Sequence, residues 1–171
     1  MFKYGNQSDL VGYVDASFAN NNDRKSTSGF ISFFNYGPIM WFSKKQSVVA
    51  LSSTEAEYIA LCLGSKEIVW LRNILKELKL INEDKPILIY EDNQATIMMA
   101  KSGSSTKRTK HIDIKYHFIK EQINNGVINL QYCETNSMIA DLFTKPLQKI
   151  KFQELINRSG MLKAEEDIVK C

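Results

Sequence analysis

The chain has 171 residues, 44% apolar and 24% charged, with 22 Lys and Arg against 19 Asp and Glu, a formal charge of +3. That is the composition of one folded domain with its own core; only 3 prolines and 8 glycines exclude a collagen-like or low-complexity chain, and +3 is too mild to imply a nucleic-acid partner by itself. No apolar run approaches the ~20 residues that cross a bilayer, the start MFKYGNQSDL lacks a signal-peptide core, and Cys62, Cys133 and Cys171 form no C-x-x-C pair, so a cytoplasmic, intracellular chain with no membrane partner and no secretion is expected.

Residues 1–9 are polar and are expected to be a leader. LVGYVDAS, residues 10–17, alternates as a strand: Leu10, Gly12, Val14 and Ala16 take one face, Val11, Tyr13 and Asp15 the other. FANNNDRKST is a turn by composition, and GFISFFNYGPIMWFSKK predicts a hairpin split at Tyr36-Gly37-Pro38. A long helix is expected over 53–79, with Ala60, Leu63, Leu71, Ile74 and Leu78 at helical spacing. Two capping boxes compete at its start, Ser52 with Glu55 and Thr54 with Glu57. ILIYED, 87–92, reads as a buried central strand. A short helix over 93–101, a basic loop, a helix over 109–125 carrying Ile112, Tyr116, Ile119 and Ile123, and a strand over 127–133 follow. A helical segment begins near Asn136 and breaks at Pro146; a last helix is expected over 149–158, before a disordered tail.

A hairpin start followed by strand–helix–strand units implies an α/β fold: a mixed five-stranded sheet, three antiparallel strands then parallel ones, flanked by helices. The folded domain is expected over 10–150, with 151–171 a C-terminal helix and tail.

The acidic residues carry the chemistry. Asp15 sits inside an apolar strand, where an unpaired charge is costly and wants a partner or a metal. Asp92 repeats the pattern at the end of ILIY, and in open α/β sheets sites gather at the carboxyl ends of strands. Glu57 lies in the first turns of the long helix, and Asp141 in IADLF between apolar neighbours. Four carboxylates in one cleft need cations. Hard oxygen ligands without clustered Cys or His select Mg²⁺, with Mn²⁺ as a substitute. Two such ions about 3.5–4 Å apart suit phosphodiester hydrolysis. Each residue also has a plainer role open to it: Glu57 in the Thr54 box, Asp92 as a helix cap, Asp15 paired with a lysine, Asp141 exposed at a helix start.

Taken together, YVDAS, SKKQSVVALSSTEAEYIAL, YEDNQATI, RTKHIDIKYHFIKE and IADLFTKPL resemble, in this order and over about residues 10–150, the ribonuclease H domain of copia-type (Ty/copia, Pseudoviridae) retrotransposon Pol polyproteins. The resemblance implies a ribonuclease H fold and two-metal endonucleolytic hydrolysis of the RNA strand of an RNA–DNA hybrid. It implies catalytic and metal-binding roles for Asp15, Glu57, Asp92 and Asp141. Glu55 is the runner-up to Glu57, and Glu91 is expected on the opposite face of its strand from Asp92. Cellular and many retroviral relatives carry a histidine in the loop before the last aspartate; CETNSMIA, 133–140, has none. The chain resembles a piece of Pol without reverse transcriptase, integrase and protease. A reverse transcriptase domain in cis or trans is thus an expected partner, and a virus-like particle the setting in an intact element. The alternative is a silent module of the same fold that binds nucleic acid or reverse transcriptase without cutting.

Basic residues cluster at Lys101, Lys107, Arg108, Lys110, Lys115 and Lys120, against the single acid Asp113. Phosphate contacts need such clustering, although a solvated helix face is the usual fate of a charge run. Arg24, Lys25 and Ser26, with Lys44 and Lys45, form a second candidate contact set, and Asn20, Ser26 and Asn93 are candidates for 2′-OH contacts. His111 either meets phosphate at a helix start, lies near the metals, or bonds locally. His117 reads as surface; Trp41, Trp70, the phenylalanines and the Met98-Met99 pair read as core.

Overall fold

The computed structural model describes residues 9–81, 85–102 and 110–161, without the side chains of 110–112. Strand β1 (Leu10–Ser17) pairs antiparallel with β2 (Thr27–Phe34), and β2 with β3 (Gly37–Lys45). The hairpin turn is Asn35-Tyr36, at φ 50° and 66°, so Gly37 and Pro38 already belong to β3. Two successive positive φ values match the strand twist of a two-residue hairpin.

Helix α1 (Ser53–Glu77) crosses to β4 (Ile87–Glu91), which pairs parallel with β1. Helices α2 (Gln94–Ser102) and α3 (Lys110–Asn124) lead to β5 (Ile128–Tyr132), parallel to β4. The sheet order is β3-β2-β1-β4-β5, the expected mixed five-stranded sheet.

Leu10, Val14, Phe30, Ile89, Ile128 and Leu130 meet Tyr58, Leu61 and Ile68 of α1 and Tyr116 and Ile119 of α3 in the main core. The deep stripe of α1 runs through Leu61, Ile68, Leu71 and Leu75, whereas Leu78 is exposed because the helix has already closed. Lys79, at φ 56°, turns the chain, and the Leu80 N–H donates back to the Leu75 carbonyl at 2.8 Å. Trp41, on edge strand β3, and Trp70, on the outer side of α1, are exposed, as is Met98; apolar character alone did not decide their side.

The opposite face of the sheet carries Ile31 and Phe33, covered by Ile139, Leu142 and Phe143. The segment expected as one helix after Asn136 forms two 3-10 turns instead, Thr135–Ser137 and Ile139–Phe143. Between them Met138 is extended, at ψ 101°, and fully buried: the chain bends to sink that side chain. Helix α4 (Lys149–Arg158) follows, with Leu155 fully buried, so the boundary expected at 150/151 falls inside a helix that packs on the second 3-10 turn. The expected tail beyond Met161 and the leader before Asp9 lie outside the described residues.

One glycine sets how closely α1 approaches the sheet. A Cβ on Gly64 would collide with Val14 Cγ1 and stand 2.9 Å from Phe30 Cδ2. Gly→Ala inside a helix normally stabilises by about 0.5–1 kcal/mol; overpacking costs about 1–3 kcal/mol. The second effect wins here, so Gly64→Ala is expected to lower the urea midpoint. A raised midpoint would show that α1 is not seated on β1 as described.

Candidate metal and active site

The parallel pairing of β1 and β4 builds the site. Its last pair is Tyr13 with Tyr90, so two residues further on Asp15, still within β1, and Asp92, just past β4, stand at the same end of the sheet. α1 delivers the third carboxylate. Ser52 Oγ accepts the Glu55 N–H at 3.1 Å, and Glu55 Oε2 accepts the Leu51 N–H at 2.9 Å. The cap therefore uses Ser52 and Glu55. Glu57, one short step along the helix, turns into the sheet.

Asp15, Glu57 and Asp92 each offer a carboxylate oxygen within 4.8 Å of the others. Asp15 and Glu57 are 2% and 6% exposed, and Asp92 is half-buried. Glu57 Oε2 is buried with no hydrogen-bond partner among the described residues. An all-oxygen donor set with an unpartnered buried oxygen fits a hard divalent cation.

Asp141 joins by another route. It is 3% exposed, in the turn Ile139–Phe143, and it lies outside the close trio. Its Oδ1 is 2.7 Å from Lys145 Nζ, which is also 3.9 Å from Asp15 Oδ2. The Thr144 hydroxyl donates to Asp15 Oδ2. Gly29, paired with Asp15 in the β1–β2 register, makes this approach possible: a Cβ there would stand 2.5 Å from Thr144 Cγ2 and 2.8 Å from the Ala140 carbonyl. Thr144 and Lys145 were missed at the sequence level; the i,i+4 spacing of Asp141 and Lys145 in DLFTK was the available signal.

Glu91 closes β4 and shares the inward face of Ile87 and Ile89. It is fully buried, accepts the Asn93 N–H at 3.0 Å, and lies close enough to Glu57 to disfavour its ionisation. Asn93 caps α2 through Oδ1 to the Thr96 N–H at 3.1 Å, the role open to Asp92 in the sequence.

Burial dominates the electrostatics. It pushes the Asp15 carboxyl up to about 6, against the opposing pull of Lys145 and the Thr144 hydroxyl, with Asp141 and Asp92 adding to the rise. Burial, followed by Glu91, Asp15 and Asp92, pushes Glu57 up to about 11. Burial also holds Glu91 well above the usual carboxylate range.

The basic candidates divide. Ser26 is fully buried and its Oγ accepts the Ala19 N–H at 3.0 Å; it fastens the β1–β2 turn and is not available to nucleic acid. Lys25 and Lys45 lie 3.9 and 2.9 Å from Asp23, and Arg24 is exposed at φ 61°. Asn20 bonds Thr27 and the Thr144 carbonyl. Lys101 Nζ donates to the Leu130 carbonyl at 2.9 Å. Lys107 and Arg108 lie outside the described residues, as do the side chains of Lys110 and His111 at the start of α3. His117 is exposed, beside Asp113 at 3.4 Å.

No protein-family profile matches the chain. Among solved structures, the N-terminal RNase H domain of rv2228c from Mycobacterium tuberculosis superposes with a TM-score of 0.58 at 12% identity, covering 88% of this chain and 98% of that one. LC11-RNase H1, crystallised with an RNA/DNA hybrid, gives 0.59 at 13% identity, over 80% and 94%. The fold is that of ribonuclease H. In sequence the chain is 41% identical over 153 residues to the Retrovirus-related Pol polyprotein from transposon TNT 1-94 of Nicotiana tabacum, covering 89% of this chain and 11% of the relative. It is 38% identical over 162 residues to that from transposon RE2 of Arabidopsis thaliana, covering 94% and 11%. Its homologues are copia-type Pol polyproteins of plant transposons. It spans about a tenth of the length of these relatives.

The raised carboxyls give the metal-free protein a definite pH response. Asp15 and Glu57 bind protons more tightly folded, near 6 and 11, than at their ordinary values of 3.8 and 4.5. The folded state thus holds more protons above about pH 4, and stability falls as pH rises through this window. In EDTA the thermal midpoint is expected to drop from pH 5 to pH 8. Glu57→Gln should flatten that slope and stabilise the metal-free protein at pH 8 by about 1–3 kcal/mol. A scanning calorimetry profile unchanged by the substitution would contradict the buried carboxylate cluster.

Proposed function

We propose that this domain hydrolyses the RNA strand of RNA–DNA hybrids endonucleolytically, using two Mg²⁺ ions, with Mn²⁺ able to replace them. The observation that carries this reading is the Asp15–Glu57–Asp92 trio, three carboxylates within 4.8 Å at the carboxyl ends of β1 and β4 in a ribonuclease H fold. The RNA/DNA hybrid in the crystal of LC11-RNase H1 supports the substrate class. Asp15, Glu57 and Asp92 would hold the cations, with Asp141 completing the set from the opposite side of Asp15. When bound, divalent ions supply an activated water and charge stabilisation for the leaving oxygen.

The chain's own residues set the conditions for that chemistry. Thr144 fixes one oxygen of Asp15 and so restrains the carboxylate that stands with Glu57 and Asp92. The Ala16 backbone opposes the rise in the Glu57 carboxyl. Burial keeps the ligands from hydrating, so they favour a cation over water. Arg24 is exposed in the β1–β2 turn and is a candidate for backbone phosphate contact.

A labelled RNA–DNA hybrid incubated with the protein in Mg²⁺, Mn²⁺ or EDTA tests this. Cutting of the RNA strand alone, dependent on metal, is expected. Asp92→Asn and Asp15→Asn should each reduce the rate by at least about a hundredfold. Full activity in either variant would refute the assigned site; hybrid binding without cleavage by folded wild type would leave only a binding module.

A further inference from the structure

Lys145 is the one cation whose ammonium lies against two of these carboxylates among the described residues. Its Nζ stands 2.7 Å from Asp141 Oδ1 and 3.9 Å from Asp15 Oδ2. Asp15 is thereby shared: it belongs to the trio with Glu57 and Asp92 and also to the pair bridged by Lys145. The backbone beneath Lys145 is tied down. Thr144 holds Asp15 through its hydroxyl, and the Lys145 N–H donates to the Asp141 carbonyl at 3.4 Å. The side chain is 35% exposed, so the ammonium can leave for solvent without moving the turn.

We propose that Lys145 is a resident cation of the site: its ammonium neutralises the Asp15–Asp141 half, a divalent ion enters the Asp15–Glu57–Asp92 half first, and a second divalent ion binds only by displacing Lys145. This rests on the metal-binding reading above and adds an order of loading to it. An ammonium and a divalent ion repel, and both draw on the same oxygens of Asp15 and Asp141. The second ion therefore competes with a tethered lysine, whereas the first does not. The same lysine would re-enter when the second ion departs, returning the site to its starting charge. This gives the chain a means of exchanging a cation at the position next to Asp141.

The test is Mn²⁺ titrated into the metal-free full chain, followed by calorimetry and by the electron paramagnetic resonance of the bound ions. Wild type should take up one ion tightly and a second weakly, the spin-coupled pair appearing only in the second step. In Lys145→Gln the second ion should bind about tenfold more tightly, with the first unchanged, while Lys145→Arg should behave as wild type. A second step equal to or weaker than wild type in Lys145→Gln overturns the proposal, provided circular dichroism shows a folded variant. Wild type supplies an independent check: the ¹⁵Nζ resonance of Lys145, followed under Mg²⁺, should hold through the first equivalent and shift during the second. A shift at the first equivalent overturns the proposed order. Failure of wild type to bind Mn²⁺ at all would instead overturn the metal-binding reading, and the lysine proposal with it.

Discussion

Mutual repulsion among buried carboxylates is the constraint around which this domain is arranged. Asp15, Glu57 and Asp92 come within 4.8 Å of one another, with Glu91 fully buried close by and Asp141 across Asp15. Bringing acids together away from water is unfavourable unless they stay protonated or meet cations. The folded chain must supply enough packing elsewhere to hold them there. It does so with α1 and α3 packed on one face of the sheet and the 3-10 segment covering β1 and β2 on the other.

The parts that hold the acids are local devices with separate causes. The Ser52–Glu55 cap sets where α1 begins and hence which of its two nearby glutamates turns inward. Gly64 lets that helix settle onto Val14 and Phe30, and Gly29 lets the segment carrying Asp141 and Thr144 settle beside Asp15. Helix α2 is fastened to the start of α1 by Thr96, whose hydroxyl donates to the Thr54 carbonyl at 3.3 Å, which fixes the turn bearing Asp92. Bare Cα positions at two glycines and one helix cap thus decide the geometry of a carboxylate site.

Charge counts were a poorer guide than placement. Lys101 is engaged by a backbone carbonyl, Lys25 and Lys45 by Asp23, and Lys145 by the site itself. Among the described residues these four ammonium groups are therefore already engaged by oxygens of the protein. Ser26 makes the same point for a hydroxyl: its position in a polar turn suggested exposure, but the turn folds back over it.

Local pattern in the sequence determined much of this protein. Period-two alternation located β1, the apolar run located β4, helical spacing located α3, and strand–helix alternation implied the mixed sheet. The motifs also pointed to Asp15, Glu57, Asp92 and Asp141 as the acids to watch. Such features are legible because they depend on neighbours within a turn or two. The tertiary structure alone decided which glutamate serves the cap, that Glu91 lies inward beside Glu57, that Asp141 reaches Asp15 through Lys145, and that Trp41 and Trp70 face outward. These outcomes depend on where a strand stops, which face a helix presents after packing, and how closely two segments approach at a missing Cβ. Most are set by contacts between residues far apart in the chain, which spacing along the sequence does not record.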